Sequence, residues 1–219
     1  VTIFYKFVTM NKAHTSINAY LSKVKEGSIL FPTDFRGMGT EGAIKMALSR
    51  LAKEGKLKRL AHGIYYVPKT DPLLGELHPG AENIAEAIAQ KEKILIRPSG
   101  ASALNKLGLS TQVPTRLVYI TNGSPRKIKI GRMTVVFKAT TSKKLAMEGP
   151  ISGLVIQALE ELDLTNIHPE TAQKIRGLLM KENPGKLKHD LALAPARLHD
   201  YIMKLLKEKD NDRMVETNR

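Results

Sequence analysis

One stretch, residues 40–68, constrains the fold of this chain most, because a helical pattern runs directly into a β-hairpin pattern. Its apolar residues keep the i, i+3, i+4, i+7 spacing of a helix that buries one face, at Ile44, Ala47, Leu48 and Leu51. Gly55 follows, where helices commonly end in a left-handed conformation that glycine adopts at little cost. Residues 56–60 and 64–67 are two short β-prone runs around a His-Gly pair, which predicts a tight hairpin.

Two helices are predicted upstream of this stretch, which makes residues 1–70 a candidate winged helix-turn-helix domain. Ile17, Leu21 and Val24 keep helical spacing before Gly27, and Phe31–Phe35 reads as a short second helix with a proline near its start. In that fold the last helix enters the DNA major groove and the hairpin wing contacts the adjoining backbone. One basic helix alone is usually a solvated surface helix, but three helices followed by a hairpin favour DNA binding.

We therefore expect base contacts from the exposed face of the helix at residues 40–54, and phosphate contacts from its end and from the hairpin. Lys45, Ser49 and Arg50 are the candidates for base edges. The full set of candidate DNA-binding residues is Thr40, Lys45, Ser49, Arg50, Lys53, Lys56, Lys58, Arg59 and His62.

The positive charge of the chain, +14 overall, is unevenly distributed. Residues 1–70 carry twelve Lys/Arg against four Asp/Glu, and residues 71–145 carry twelve against five. Residues 146–219 carry eleven against twelve. A basic block is expected of a protein that binds the phosphate backbone, because neutralised phosphates release condensed counterions. Charge that served only solubility would not leave the last third neutral.

The rest of the chain predicts an α+β fold in three parts. A linker marked by proline and glycine at residues 69–80 leads into a small mixed α/β domain with a β-hairpin, residues 71–145. Its predicted elements are a helix at 81–90, a strand at 94–96, a helix capped by Ser99, a strand at 117–120 and a hairpin that turns at Gly131-Arg132. Residues 146–219 are predicted to be helical, with a disordered tail after Lys207.

The second domain is predicted to have its own core and its own basic face. The core residues share helical or strand periodicity and are Ile84, Ile88, Ile94, Ile96, Leu104, Leu117 and Ile120. The basic residues are Arg97, Lys106, Arg126, Lys127, Lys129 and Arg132. Lys127 and Lys129 alternate with two isoleucines, so we expect one charged and one buried face on that strand.

No catalytic or metal-binding motif rises above background. The six histidines form no HxxxH or HExxH pair, and the absence of cysteine excludes thiolate chemistry and disulfides. Ser99 and Ser102 fit helix capping better than nucleophilic catalysis. A loose GxGxxG at residues 37–42 follows a helix rather than a strand, so we reject a dinucleotide site. We expect no enzyme activity, no cofactor and no metal.

The N-terminal VTIFYKFVTM contains a lysine and no small-residue cleavage pattern, so we do not interpret it as a secretory signal, and Met10 is a second candidate start. No apolar run approaches the roughly 20 residues that cross a bilayer. We expect a cytoplasmic protein without membrane contact.

Two segments resemble a known family. The run LSRLAKEGKLKRLAHGIYYVP is similar to the winged helix of AbiEi-like antitoxins of type IV toxin-antitoxin systems, and IRPSGASALNKLGLSTQVPTRLVYITNGSPRKIKIG is similar to their second domain. The resemblance covers roughly residues 15–145. It implies a repressor that binds its own double-stranded operator DNA and counteracts a co-encoded nucleotidyltransferase-type toxin, with or without direct contact. We expect the basic residues of the second domain to form the antitoxin surface.

Two other interpretations stay open. In the first, the chain is an enzyme or enzyme subunit that acts on RNA or nucleotides and binds phosphate with residues 126–132. In the second, the chain is a winged-helix transcription regulator without a toxin partner. A neighbouring gene for a nucleotidyltransferase would favour the antitoxin. Nucleotide turnover by the pure protein would favour the enzyme. The sequence predicts no particular oligomeric state.

Overall fold

The computed structural model describes the backbone of residues 2–216 and the side chains of residues 12–207. Helices and several small sheets alternate along the chain, so the fold is α+β, as predicted. The chain clusters into two compact units, Val1–Ile88 with Lys129–Gly131 and Ala89–Ile128 with Arg132–Arg219. The division into domains at residues 70 and 145 stays a prediction.

The first unit begins with helices and continues with two small antiparallel sheets. Its elements are α1 (Thr2–Leu21), β1 (Ile29–Leu30), a 3-10 helix (Pro32–Phe35), α2 (Glu41–Lys53), β2 (Lys58–Ala61), β3 (Ile64–Tyr66), β4 (Lys69–Asp71), β5 (Gly75–Leu77) and the start of α3 (Ala81–Glu92). One sheet has the order β1-β3-β2, in which Leu30 and Arg59 both pair with Tyr65. The helix and hairpin predicted for residues 40–68 are confirmed.

The core of the first unit forms where α2 packs against α1. The residues predicted to lie on the buried side of α2 are all buried, and Leu48 and Leu51 are 0% exposed. Ala13 and Ile17 of α1 and Phe35 of the 3-10 helix complete the same cluster. Truncating a leucine in such a position to alanine typically costs about 2–5 kcal/mol. This packing fixes which side of α2 faces solvent.

The linker predicted for residues 69–80 is a β-hairpin of the first unit instead. β4 and β5 pair, and the carboxylate of Asp71 accepts hydrogen bonds from the backbone of Leu73 and Leu74 in the turn. Glu76 on β5 accepts bonds from the Lys58 amine at 2.7 Å and the Tyr66 hydroxyl at 2.5 Å. The proline and glycine that indicated a linker flank the turn of this hairpin.

A four-stranded sheet lies in the second unit, apart from Lys129 and Ile130 at the end of one strand. The elements of this part of the chain begin with β6 (Ile96–Ser99), α4 (Ala101–Lys106), β7 (Arg116–Thr121), β8 (Arg126–Ile130) and β9 (Met133–Ala139). The strand order is β6-β7-β9-β8, with β7 antiparallel to β6 and parallel to β9. The predicted strand, helix and hairpin pattern is present, and Gly131 adopts a positive φ of 57° in the hairpin turn.

Two details of this sheet differ from the prediction. β6 continues through Pro98 to Ser99, because β6 is an edge strand where a missing backbone donor is tolerated. Ser99 is therefore a strand residue, and Gly100, with φ of 61°, holds the N-cap position of α4.

Of the predicted core residues, Ile84, Ile88, Leu117 and Ile120 are buried, whereas Ile94, Ile96 and Leu104 are half-buried.

The C-terminal part is helical, as predicted. It consists of α5 (Ser142–Leu145), α6 (Ser152–Leu159), α7 (Pro169–Leu179), α8 (Pro184–Leu193) and α9 (Ala196–Glu216). Val155, Ile156, Leu159, Leu179 and Leu198 lie in its core. The tail predicted to be disordered includes residues 208–216, whose backbone continues α9, and residues 217–219, which lie outside the described residues. Within the described chain, every helix is too short or too polar to cross a bilayer.

Candidate nucleic-acid interface

The side of α2 that faces away from the core carries most of the predicted base-contacting residues. Thr40, predicted as a DNA contact, is the N-cap, and its hydroxyl accepts a hydrogen bond from the Ala43 amide at 3.3 Å. The helix ends at Lys53, and Gly55 has φ of 78°, as expected after a helix. Lys45, Ser49 and Lys53 are exposed, and Arg50 is half-buried.

The four candidates on α2 differ in their pairing. The Lys45 amine lies 2.5 Å from the carboxylate of Glu41, one turn earlier on the helix. The hydrogen bond and charge of Lys45 lower the pKa of Glu41. Ser49, Arg50 and Lys53 have no side-chain partner among the described residues, so they offer their donors without first breaking a contact.

The hairpin candidates are exposed but engaged in contacts that sequence reasoning did not predict. Lys56 donates to Asn18 of α1 at 2.8 Å and lies 3.5 Å from a Glu54 oxygen. Lys58 pairs with Glu76. Asn18 and Glu76 are distant along the chain from the lysines that they contact, and no local sequence pattern indicated the contact with Glu54. Exposed pairs of this kind are weak, so both amines can exchange these partners for phosphate oxygens.

Arg59 and His62 come together at the turn of the β2–β3 hairpin. A guanidinium nitrogen of Arg59 lies 3.1 Å from Nδ1 of His62, and Nε of Arg59 donates to the Ala61 carbonyl at 3.3 Å. The two side chains therefore form one exposed polar tip rather than two independent contacts.

Met46 is a residue of this surface that the sequence analysis missed. It lies between Lys45 and Ser49 on the exposed side of α2, and 44% of it is accessible. An apolar side chain on an otherwise basic helix face is suited to contact the thymine methyl group in a major groove. The sequence did contain a signal for it, because Met46 is an apolar residue that does not fall on the i, i+3, i+4, i+7 spacing of the buried face.

The predicted basic face of the second domain divides into two kinds of residue. Lys106, Lys127, Lys129 and Arg132 are exposed, and the two lysines of β8 alternate with half-buried isoleucines as predicted. Arg126 instead pairs with Glu92 at 2.5 Å and lies over the ring of Phe137. Arg97 donates to the carbonyls of Leu145 and Met147. Arg126 and Arg97 are therefore held by contacts within the protein.

The residues rejected as catalytic have structural roles. The Ser102 hydroxyl accepts a hydrogen bond from the Val118 amide at 3.1 Å, which joins α4 to β7. Among the described side chains, no three His, Asp or Glu residues are grouped closely enough to hold a metal ion.

Comparison with known proteins gives one family. A family model described as a family of unknown function (DUF6088) matches residues 16–187, which is most of the chain. No curated protein matches the chain. The family description assigns no function, so the resemblance to AbiEi-like antitoxins stays a prediction.

Proposed function

The chain belongs to the DUF6088 family, and we propose that this member is a DNA-binding antitoxin that represses its own operon. In this proposal residues 1–70 act as a winged helix-turn-helix, with α2 as the recognition helix and the β2–β3 hairpin as the wing. The observation that carries the proposal is the solvent side of α2, where Ser49, Arg50 and Lys53 have no partner among the described side chains and stand directly before a basic hairpin.

The chemistry of this surface suits duplex DNA. An arginine on a helix that enters the major groove can donate two hydrogen bonds to guanine, which gives sequence preference. Lys53, Lys56 and Lys58 present single ammonium groups, which bind phosphate oxygens without reading sequence. The tip formed by Arg59 and His62 lies on the same hairpin as Lys58 and adds further donors for the DNA backbone.

The proposal predicts specific, salt-sensitive binding to DNA upstream of the gene. Fluorescence anisotropy with a labelled duplex should give an affinity that falls steeply with salt, because each neutralised phosphate contributes about 0.9 to the log-log slope. Arg50→Ala should cost about 1–3 kcal/mol on the preferred sequence and reduce the preference over scrambled DNA. Lys53→Ala should weaken both duplexes alike.

Arg197→Ala is the matched control, because Arg197 is an exposed arginine on helix α9 with no partner among the described residues. It should leave DNA affinity unchanged. Normal operator binding by Arg50→Ala would show that α2 does not present Arg50 to bases. Equal losses of DNA affinity in Arg50→Ala and Arg197→Ala would mean that only the total charge of the protein determines DNA binding.

The antitoxin part of the proposal rests on the resemblance to AbiEi-like antitoxins and on the exposed lysines of β8. An enzyme acting on RNA or nucleotides is the rival, and incubation of the pure protein with ribonucleoside triphosphates and RNA separates the two. The antitoxin proposal expects no turnover, whereas release of product that scales with protein concentration would favour the enzyme.

A further inference from the structure

We propose that Met46 of α2 contacts a thymine methyl group in the operator, and that Gly42 lets the helix backbone come close enough to the bases for this contact. The inference rests on the proposed function and names the base content of the DNA that α2 prefers. It starts from the 44% accessibility of Met46. The larger apolar residues of the same helix, Ile44, Leu48 and Leu51, are at most 4% exposed.

Met46 lies at the centre of the exposed side of α2. Gly42, Met46, Ser49 and Lys53 follow the i, i+4, i+7, i+11 spacing of one helix stripe, and all four are exposed. Arg50 lies one turn after Met46, beside this stripe. The neighbours of Met46 along the exposed side are therefore hydrogen-bond donors and a glycine, so Met46 does not extend the apolar core.

The charge of this face favours DNA over an apolar protein partner. Lys45, Arg50 and Lys53 carry three positive charges, against the single carboxylate of Glu41. The core of a protein interface is depleted of charge. In the major groove, thymine presents a methyl group beside the acceptor atoms of neighbouring bases. One apolar side chain among cations and a hydroxyl matches that mixture.

The spacing of residues on α2 sets the spacing of the bases. Met46 and Arg50 are four residues apart, which is about 6 Å along a helix. Successive bases on one DNA strand are about 3.4 Å apart. A helix that follows the groove therefore places the thymine beside Met46 about two base pairs from the guanine that Arg50 can bind.

Gly42 permits close approach at the start of the helix. It lies within α2, and a Cβ added to it would meet no atom of the described residues within 4 Å. Glycine lowers helix stability relative to alanine, and neither packing nor a positive φ requires glycine here. The absence of a side chain on the DNA side allows the backbone to come nearer to the bases.

The experiment is fluorescence anisotropy with the full chain and the preferred duplex, in which each thymine in turn is replaced by deoxyuridine. This replacement removes only the methyl group, and loss of one buried carbon changes an equilibrium constant about fourfold. The wild type should lose about fourfold in affinity at one or two positions. Met46→Ala should weaken binding to the thymine duplex by at least this factor and bind the thymine and uracil duplexes equally.

Met180→Ala is the matched control for Met46→Ala, because Met180 is an exposed methionine at the end of α7. It should keep the full preference for thymine. A merely structural role of Met46 would weaken both duplexes alike and leave that preference intact.

Gly42→Ala tests the close approach through effects of opposite sign. It should raise the melting temperature by about 1–4 °C, because alanine favours the helix. It should also weaken the preferred duplex about fivefold or more, because the added methyl group holds the helix away from the bases. Gly177→Ala in α7, whose added Cβ also meets nothing within 4 Å, should raise the melting temperature similarly and leave DNA affinity unchanged.

Specific binding that no deoxyuridine substitution weakens overturns this inference and leaves the proposed function intact. Preservation of the thymine preference in Met46→Ala also overturns it. Wild-type DNA affinity in Gly42→Ala overturns the close approach of the backbone. Failure of the wild type to bind any duplex specifically overturns the proposed function and this inference together.

Discussion

Glu41 lies on the side of α2 that we propose meets DNA, and it holds the Lys45 amine at 2.5 Å. Both side chains are exposed, so the pair contributes little to stability. Near phosphates the carboxylate would repel the DNA and also compete for Lys45. Glu41→Gln should therefore tighten operator binding roughly three- to tenfold, as measured by anisotropy at fixed salt.

Glu170→Gln is the control for that change, because Glu170 occupies the first turn of α7 as Glu41 does in α2. It should leave DNA affinity unchanged. Unchanged or weaker binding by Glu41→Gln would place the N-terminal turn of α2 outside the DNA contact.

At the scale of elements, α6 begins at a cluster of two buried carboxylates. Asp190 accepts bonds from the amides of Glu148 and Gly149 and from the Ser152 hydroxyl, and Glu182 accepts from the amides of Ile151 and Ser152. Burial raises the pKa of both carboxyls, but these hydrogen bonds outweigh it, so each pKa lies below its usual range. Sequence periodicity gave no sign of this cluster, because its members are about 30–40 residues apart.

The lowered pKa values predict acid sensitivity of the second unit. Carboxyls with a lowered folded pKa stabilise the protein above their unfolded pKa of about 4, and this stability is lost as the pH falls through the folded values. Asp190→Asn should lower the free energy of unfolding at pH 7 by about 1.5–3 kcal/mol and flatten its decline between about pH 5 and 3. Guanidinium unfolding followed by circular dichroism at several pH values measures both effects.

Asp200→Asn, which changes an exposed carboxylate on α9, is the control and should leave both quantities near those of the wild type. A wild-type acid profile in Asp190→Asn would show that the cluster does not stabilise α6.

The elements also show what sequence patterns can predict. The boundaries of α2 and the β2–β3 hairpin followed from local signals, namely the apolar stripe, Gly55 and the His-Gly turn. The β4–β5 hairpin was missed because the contacts of Glu76 with Lys58 and Tyr66 are tertiary and leave no local sequence pattern. The same limit applies to the candidate site. The exposure of Lys45 and Lys53 was predictable, but the pairing of Lys56 with Asn18 was not.

At the scale of the whole molecule, the positive charge occupies residues 1–145, whereas residues 146–219 are nearly neutral. If DNA binding used all of this charge, the lysines of β8 would extend the DNA contact. If the molecule has two functions, those lysines serve the second one, in contact with a toxin or with a nucleic acid that the toxin uses. The exposed Lys127 and Lys129 are the residues that separate these cases, because Arg126 is already bound to Glu92 and Phe137.

We therefore predict that Lys127→Glu combined with Lys129→Glu abolishes rescue from the co-encoded toxin in growth assays and leaves operator repression largely intact. Both lysines are exposed on an edge strand, so reversing them should not disturb the core. Lys186→Glu with Lys188→Glu, exposed on α8, makes the same change in net charge and should preserve rescue. Loss of both rescue and repression in the β8 variant would mean that its lysines extend the DNA contact. Rescue that survives this variant but fails in Arg50→Ala with Lys53→Ala would assign the neutralising activity to the surface of α2.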